Sequence, residues 1–269
     1  MEIRIFDVEH GSCALITTPN NRTILVDCGH NDTTGFRPSD YLTNVMDLDS
    51  ENNRLSKLIV SNVDQDHLSD LLNIREEVNP EILSRNPKLD RNFVNEVKEE
   101  MTDEFEEYLD MHETYNEPID DDWGGVIITP FYHDPDKFSD TNNLSLVKFF
   151  EYGGLKIIFP GDLEKAGWSE FLKDESFVEH LKTTKVLVAS HHGRESGYCA
   201  DIFHFCKPEI IIISDEDVKY DTQRDIGYSE KATGIIFDGK NHKKILTTRT
   251  NGMITLKAES TFYNVSIER

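Results

Sequence analysis

The sequence predicts an α/β fold, and three observations carry the expectation. Short apolar β-runs alternate with stretches of helical spacing along most of the chain. The polar residues suited to chemistry stand directly after the C-terminal ends of those runs: Asp7, Asp27, Asn62–His67, Asp162 and the pair His191-His192. In α/β proteins such loops line one rim of a sheet, where ligands bind. The third is a hydrophobic fraction of 37% of the chain, with aromatic residues making up 10% of the chain, enough for a sizeable core. A length of 269 residues fits one large or two small domains at about 150 residues each. We read it as a single domain over residues 1–269 with an acidic helical insertion at about 76–125.

Taken in order, Ile3-Arg4-Ile5-Phe6 leads into Asp7. Ala14-Leu15-Ile16 and Thr23-Ile24-Leu25-Val26 flank the turn signal Pro19-Asn20-Asn21 and read as a hairpin. A helix is expected at about 38–47, before the strand Leu58-Ile59-Val60. Phe93, Val97, Met101, Phe105 and Leu109 recur every four residues, the spacing of an amphipathic helix. Gly125–Ile128 and Leu144–Phe150 come next, the latter turning at Gly153-Gly154 into Leu155–Phe159. Val186–Val188 ends at the two histidines, and Ile210–Ile213 ends at Ser214-Asp215. Helical stretches are expected around 66–77, 165–183 and 225–237. Asn251-Gly252, between Ile245–Thr248 and Met253–Lys257, reads as a hairpin turn.

Charge narrows the partners. With 51 acidic against 28 basic residues the formal charge is -23. A surface this acidic repels polyanions, so a nucleic-acid substrate requires metal ions or a local basic patch near the site. Residues 90–122 hold 14 acidic and 2 basic side chains, about half the net charge. That segment reads as a solvated helix face or as a surface for a protein partner. No apolar run reaches the roughly 18 residues that span a bilayer, and no signal peptide is visible. Cys13, Cys28, Cys199 and Cys206 lack CxxC spacing and read as reduced thiols of a cytoplasmic protein.

The strongest chemical signal is Leu58–Leu68, a strand followed by Asn62, Asp64, Asp66 and His67. A tight loop aims alternating residues inward, so Asp64, Asp66 and His67 can reach one metal ion. The plain alternative is a helix start with Asp64 or Asp66 as its cap. Asp162 after Pro160-Gly161 and the pair His191-His192 carry the same ambiguity, as does His133, an exposed loop imidazole or a residue of the rim.

At this point the chain resembles the metallo-β-lactamase fold, and within it the ComEC-type branch, named for the domain attached to DNA-uptake channels. Asp7–Ile16 is similar to that branch's D-V-G-Q-G-D-S run, and Thr23–Gly29 to its T-I-L-I-D-G-G. Ser61–His67 resembles T-H-P-D-A-D-H, a variant of H-x-H-x-D-H. Asn142–Val147, Gly153-Gly154, Phe159–Asp162, Ala189–Gly193 and Lys207–Ser214 follow in the branch's order. The resemblance implies a four-layer αβ/βα sandwich, two mixed β-sheets face to face with helices outside, and a metal centre at one edge.

Carried over, it makes Asp64, Asp66, His67, Asp162 and His192 metal ligands. Asp66, His191 and His192 become catalytic residues, one of the histidines contacting substrate or protonating the leaving group. Asn62, Asn143, Arg194 and Asp221 stand as substrate-contacting or supporting residues. Three departures accompany it. Asn62 replaces the leading His, Thr222 stands where the late Y-G-H-P has its His, and Gly11-Ser12-Cys13 replaces G-D-S. The retained set is oxygen-rich, which favours manganese or magnesium over zinc, as one or two divalent ions. The expected activity is hydrolysis of a phosphodiester in a nucleic acid or nucleotide, through a metal-activated hydroxide. Two alternatives stand beside it: a degenerate member acting as a binding or regulatory module, and hydrolysis of a small ester or lactam.

Overall fold

The computed structural model describes residues 1–97, 101–117, 119, 121–215, 227–237 and 241–268. Its first half is built from β1 (Glu2–Ile5), β2 (Ala14–Thr17), β3 (Thr23–Val26), α1 (Pro38–Asn44), β4 (Lys57–Ile59), α2 (Gln65–Leu68), α3 (Leu71–Glu77), β5 (Leu83–Ser84), α4 (Arg91–Val97) and α5 (Asp103–Thr114). The second half adds β6 (Ile127–Phe131), β7 (Val147–Tyr152), β8 (Leu155–Phe159), α6 (Lys165–Phe171), α7 (Glu175–Lys182), β9 (Val186–Val188), β10 (Ile210–Ile213), β11 (Ile235–Phe237), β12 (Asn241–Lys243), β13 (Ile245–Thr247), α8 (Thr248–Asn251), β14 (Met253–Ala258) and β15 (Tyr263–Glu268).

The strands form two mixed sheets, ordered β15-β14-β1-β2-β3-β4-β5 and β13-β10-β9-β8-β7-β6, with β11-β12 as a separate ribbon. Strand alternation sorts the side chains into three apolar layers. Ile24 and Val26 of β3 face the second sheet and meet Phe150, Ile157, Val186 and Ile212 in a layer between the sheets. Leu25 points the other way, into a layer with Leu42 of α1, Leu71 and Ile74 of α3, and Phe105, Tyr108 and Leu109 of α5. Phe149, Ile158, Leu187 and Ile211 cover the outer face of the second sheet against Trp168 and Phe171 of α6 and Phe177 and Leu181 of α7. The order is therefore helix, sheet, sheet, helix, as the resemblance implied. Each fully buried large apolar side chain contributes about 1.5–3 kcal/mol, so these layers hold the rim loops at fixed separations.

The β2–β3 hairpin forms as expected, with Thr17 opposite Thr23 and Asn21 at φ 63 in its turn. Three expectations differ from the fold. The apolar spacing over 93–109 spans two helices, because Thr102 accepts a bond from Phe105 N and starts α5 afresh; residues 98–100 lie outside the described set. Asn251-Gly252 closes no hairpin: β13 and β14 belong to different sheets, and the residues end the short helix α8 that links them. Within 225–237, residues 228–230 form a single tight turn and 235–237 form β11, so the described part is not one helix. Among the described residues no helix is long and apolar enough to cross a membrane, and the four cysteines are free and buried.

Candidate metal centre

Three chain segments meet at the rim. The turn 60–68 follows β4 and carries Asp66 and His67; the loop after β8 carries Asp162; the turn after β9 carries His192. One side-chain atom from each of Asp66, His67, Asp162 and His192 lies within 4.8 Å of all the others. Asp162 Oδ1 stands 3.1 Å from His67 Nε2 and 3.4 Å from His192 Nε2, and Asp66 Oδ2 stands 3.2 Å from His192 Nε2.

Close backbone approach sets this geometry. The chain after β3 grips the 60–68 turn through Cys28 N to His67 O at 2.8 Å and Asp70 N to Cys28 O at 3.0 Å. Ser12 N bonds Asp66 O at 3.3 Å from the other side. Gly29 fits only as glycine, because a Cβ there would overlap the Asp66 carbonyl oxygen. His191 and His192 both have left-handed φ, 50 and 52, followed by Gly193 at 74. Such residues cost of order 1–3 kcal/mol each and persist where packing over-determines them. Here His191 N to Gly161 O at 3.2 Å and Ala189 N to Ile212 O at 2.8 Å hold the turn.

The two imidazoles of the cluster are oriented alike. His67 Nδ1 lies 2.9 Å from the buried Asp27 carboxylate, which also accepts from Ser61 N at 2.7 Å and Ser61 Oγ at 2.6 Å. His192 Nδ1 donates to Ser214 O at 3.2 Å. Each ring thus turns Nε2 inward, the arrangement seen where an outer acceptor fixes the tautomer of a metal-binding histidine. The inward Nε2 of His192 is buried and has no hydrogen-bond partner. Two carboxylates, two imidazoles and that orphaned nitrogen fit a divalent ion.

The electrostatics agree. Burial alone would lower His67, but Asp162, Asp27 and Asp66 around it raise it well above the ordinary imidazole value. His192 is raised likewise against its burial, by Asp162 and Asp66. Burial opposes ionisation of Asp66, yet His67 and His192 hold its carboxyl down to about 2; Asp162 is depressed by the same neighbours against the same burial. The carboxylates that raise both imidazoles would equally favour a divalent cation between them.

The other expected site residues lie around this centre. Asp64 is outside the four-residue group: its Oδ1 accepts from Thr141 Oγ1 at 2.9 Å. Without it the donor set is two oxygens and two nitrogens, less oxygen-rich than the sequence implied: the imidazoles suit zinc and iron, the carboxylates manganese. Asn62 turns toward the 141–145 loop, donating to Asn142 Oδ1 and Ser145 Oγ at 3.2 Å each, while its Oδ1 accepts from Asp64 N at 2.9 Å. Asn143 binds Gly167 N at 2.8 Å and so pins α6, and its amide donates to Asp140. His133 is a packed residue: it stacks on Phe171 at 3.7 Å and donates to Gly167 O.

His191 diverges from its neighbour, as adjacent residues in a turn do. Its Nδ1 meets Ser196 Oγ at 2.9 Å, its Nε2 accepts from Arg194 at 3.2 Å, and it stays 3.8 Å from Asp162. Asp221 and Thr222 lie outside the described residues. Sequence reasoning placed Asp27 on the rim but gave it no role, and it passed over Ser61, Ser214 and His10. His10 sits with its ring 4.6 Å from that of His192; the only signal was its place in the opening run of the resemblance.

The sequence model of the Metallo-beta-lactamase superfamily matches residues 6–178. The chain belongs to that superfamily. Its members are largely hydrolytic, and Asp66, His67, Asp162 and His192 supply a candidate metal site of the kind the superfamily uses. Among curated proteins it is similar to ComE operon protein 3 of Bacillus subtilis (strain 168), 29% identical over 170 residues, which cover 60% of this chain. The chain spans about a fifth of that relative's length, the matched share being 20%. Similar solved structures include CmlA, a diiron β-hydroxylase from Streptomyces venezuelae, at 12% identity and TM-score 0.47 over 79% of this chain and 44% of that one. Zn(2+)-bound PqqB from Methylobacterium extorquens is similar at 14% identity and TM-score 0.37 over 70% of each chain.

Proposed function

We propose that this superfamily member is a hydrolase of phosphodiester bonds that works with one divalent ion held by Asp66, His67, Asp162 and His192. The observation that carries the reading is the inward pair of buried imidazole Nε2 atoms facing two carboxylates, the His192 nitrogen making no hydrogen bond although both carboxylates stand within 3.4 Å. When bound, the ion supplies a water ready to attack at neutral pH and polarises the bond under attack. Asp27 holds His67 through Nδ1, and the Ser214 carbonyl holds His192, so neither ring swings as charge builds. His191 lies beside the group, 3.8 Å from Asp162, with its ring nitrogens engaged by Ser196 and Arg194. Manganese and zinc both suit the donor set, and a nucleotide or nucleic acid supplies the ester.

Asn62 favours a one-ion rather than a two-ion site, because the amide that replaces an imidazole is already committed to the 141–145 loop. The same observation supports the reading of a non-catalytic binding module. For a protein partner we propose the face of α4 and α5, where Arg91 already engages Glu106, Asp110 and Glu113. Hydrolysis of a chromogenic phosphodiester, assayed with added manganese or zinc, tests the reading. The expected result is metal-dependent turnover that disappears in the Asp66→Ala, Asp162→Ala protein. Metal-dependent turnover that persists there contradicts the assigned site, and a metal-binding protein that turns over no phosphodiester supports the binding module.

A further inference from the structure

Above the metal centre opens a cleft of about 530 Å³, within the range of small-molecule sites. Its wall brings together Glu9, Asp32, Asp64, Asp66 and Asp162, and among the described residues that line it Arg194 is the one lysine or arginine. In a chain of charge -23 a guanidinium would be expected to find a carboxylate, yet none of the described ion pairs includes Arg194. It is held by nitrogen acceptors instead: Nη1 donates to His191 Nε2 at 3.2 Å and Nη2 to His10 Nε2 at 2.7 Å. His10 in turn packs its ring against that of His192. The guanidinium is therefore positioned one ring away from the metal centre, in an acidic cleft but with no carboxylate in direct contact among the described ion pairs.

We propose that Arg194 is the anion contact of this site, that His10 is the residue that positions it, and that the substrate is a small ester bearing one phosphate. The assignment of an ester under attack rests on the hydrolase reading above. A planar guanidinium matches two oxygens of a phosphate, and imidazole acceptors fix its plane without spending its charge. Among the described residues only one such cation lines the cleft. A polynucleotide needs many phosphate contacts, and here every further phosphate would meet Glu9, Asp32 or Asp64. The cleft thus selects size and charge together, favouring a mononucleotide-sized ester.

The test pairs a binding measurement with a kinetic one. Calorimetry follows thymidine 5′-monophosphate and a 20-nucleotide single-stranded DNA on the manganese-loaded protein, and turnover follows bis(4-nitrophenyl) phosphate. Arg194→Ala should weaken mononucleotide binding by roughly ten- to a hundredfold, the range of a charge-assisted bond. Arg194→Lys, kept as a check on folding, should recover part of it. His10→Leu should raise KM several-fold while kcat holds, and His10→Gln, which restores an acceptor, should bring KM back. The DNA should bind more weakly than the mononucleotide. Wild-type binding and wild-type kcat/KM in Arg194→Ala overturn the proposal and leave the hydrolase reading standing, as does DNA that binds more tightly than the mononucleotide. Arg194-dependent mononucleotide binding with no turnover of any phosphodiester removes the hydrolase reading and upholds the anion contact.

Discussion

Asp27→Asn isolates a residue that binds no ion itself yet should control ion binding. The Asp27 carboxylate is fully buried and receives three donors: Ser61 N–H on Oδ1, and Ser61 Oγ–H and His67 Nδ1 on Oδ2. An asparagine keeps one acceptor, which the short Ser61 N–H bond claims, and so turns its amide NH2 toward His67. The imidazole then relinquishes the proton on Nδ1 and carries it on Nε2, the nitrogen that faces Asp162 at 3.1 Å. An ion must displace that proton and forgo a charge-assisted bond of about 1.5–3 kcal/mol. Metal affinity should fall by roughly ten- to a hundredfold, the usual cost of losing such an outer partner. Calorimetric titration of manganese into the two proteins at pH 7.5 measures it, with the melting temperature as a check on the fold. A folded Asp27→Asn protein that binds manganese within threefold of the parent would refute the claim that Asp27 sets the His67 tautomer.

Two further outcomes follow from the same geometry. Gly29→Ala forces a Cβ into the Asp66 carbonyl oxygen; it should lower stability by about 1–3 kcal/mol in urea titrations, the usual cost of overpacking, and weaken manganese binding as Asp66 shifts. Burial pushes the Asp215 carboxyl up to about 6 from 3.8, with the Arg249 charge opposing. A carboxyl raised in the folded state contributes stability below the unfolded value of 3.8 and loses it as pH rises through about 6, a swing of about 3 kcal/mol. Asp215→Asn should therefore gain about 1–2 kcal/mol over the parent at pH 7.5 and nothing at pH 4, as read from urea titrations at the two pH values.

The fold was legible where hydrophobic period and turn chemistry agree, as in β2, its turn at Asn21 and β3. It was misread where one signal serves two structures. Asn-Gly closes hairpins, but Gly252 here ends a helix that carries the chain from one sheet to the other. Apolar residues four apart continue across 97–105, and only the Thr102 cap reveals the break. At the site, Asp66, His67, Asp162 and His192 were legible because each follows a strand and sits within a short motif. Asp64 has the same sequence credentials, yet Thr141, 77 residues away, binds its carboxylate. The Asp27–Ser61–His67 link spans 34 and 40 residues and exists only once β3 and β4 pair. Arg194 was readable as a cation near the rim; that two imidazoles hold it follows only from the packing of His10 against His192.

The central claim is that Asp66, His67, Asp162 and His192 share one divalent ion. An anomalous-scattering map from crystals grown with manganese tests it directly. One peak within coordinating distance of all four side chains, with His67 and His192 bound through Nε2, is the predicted result. No peak at that point, or a peak held by Asn62 and Asp64 instead, would contradict it.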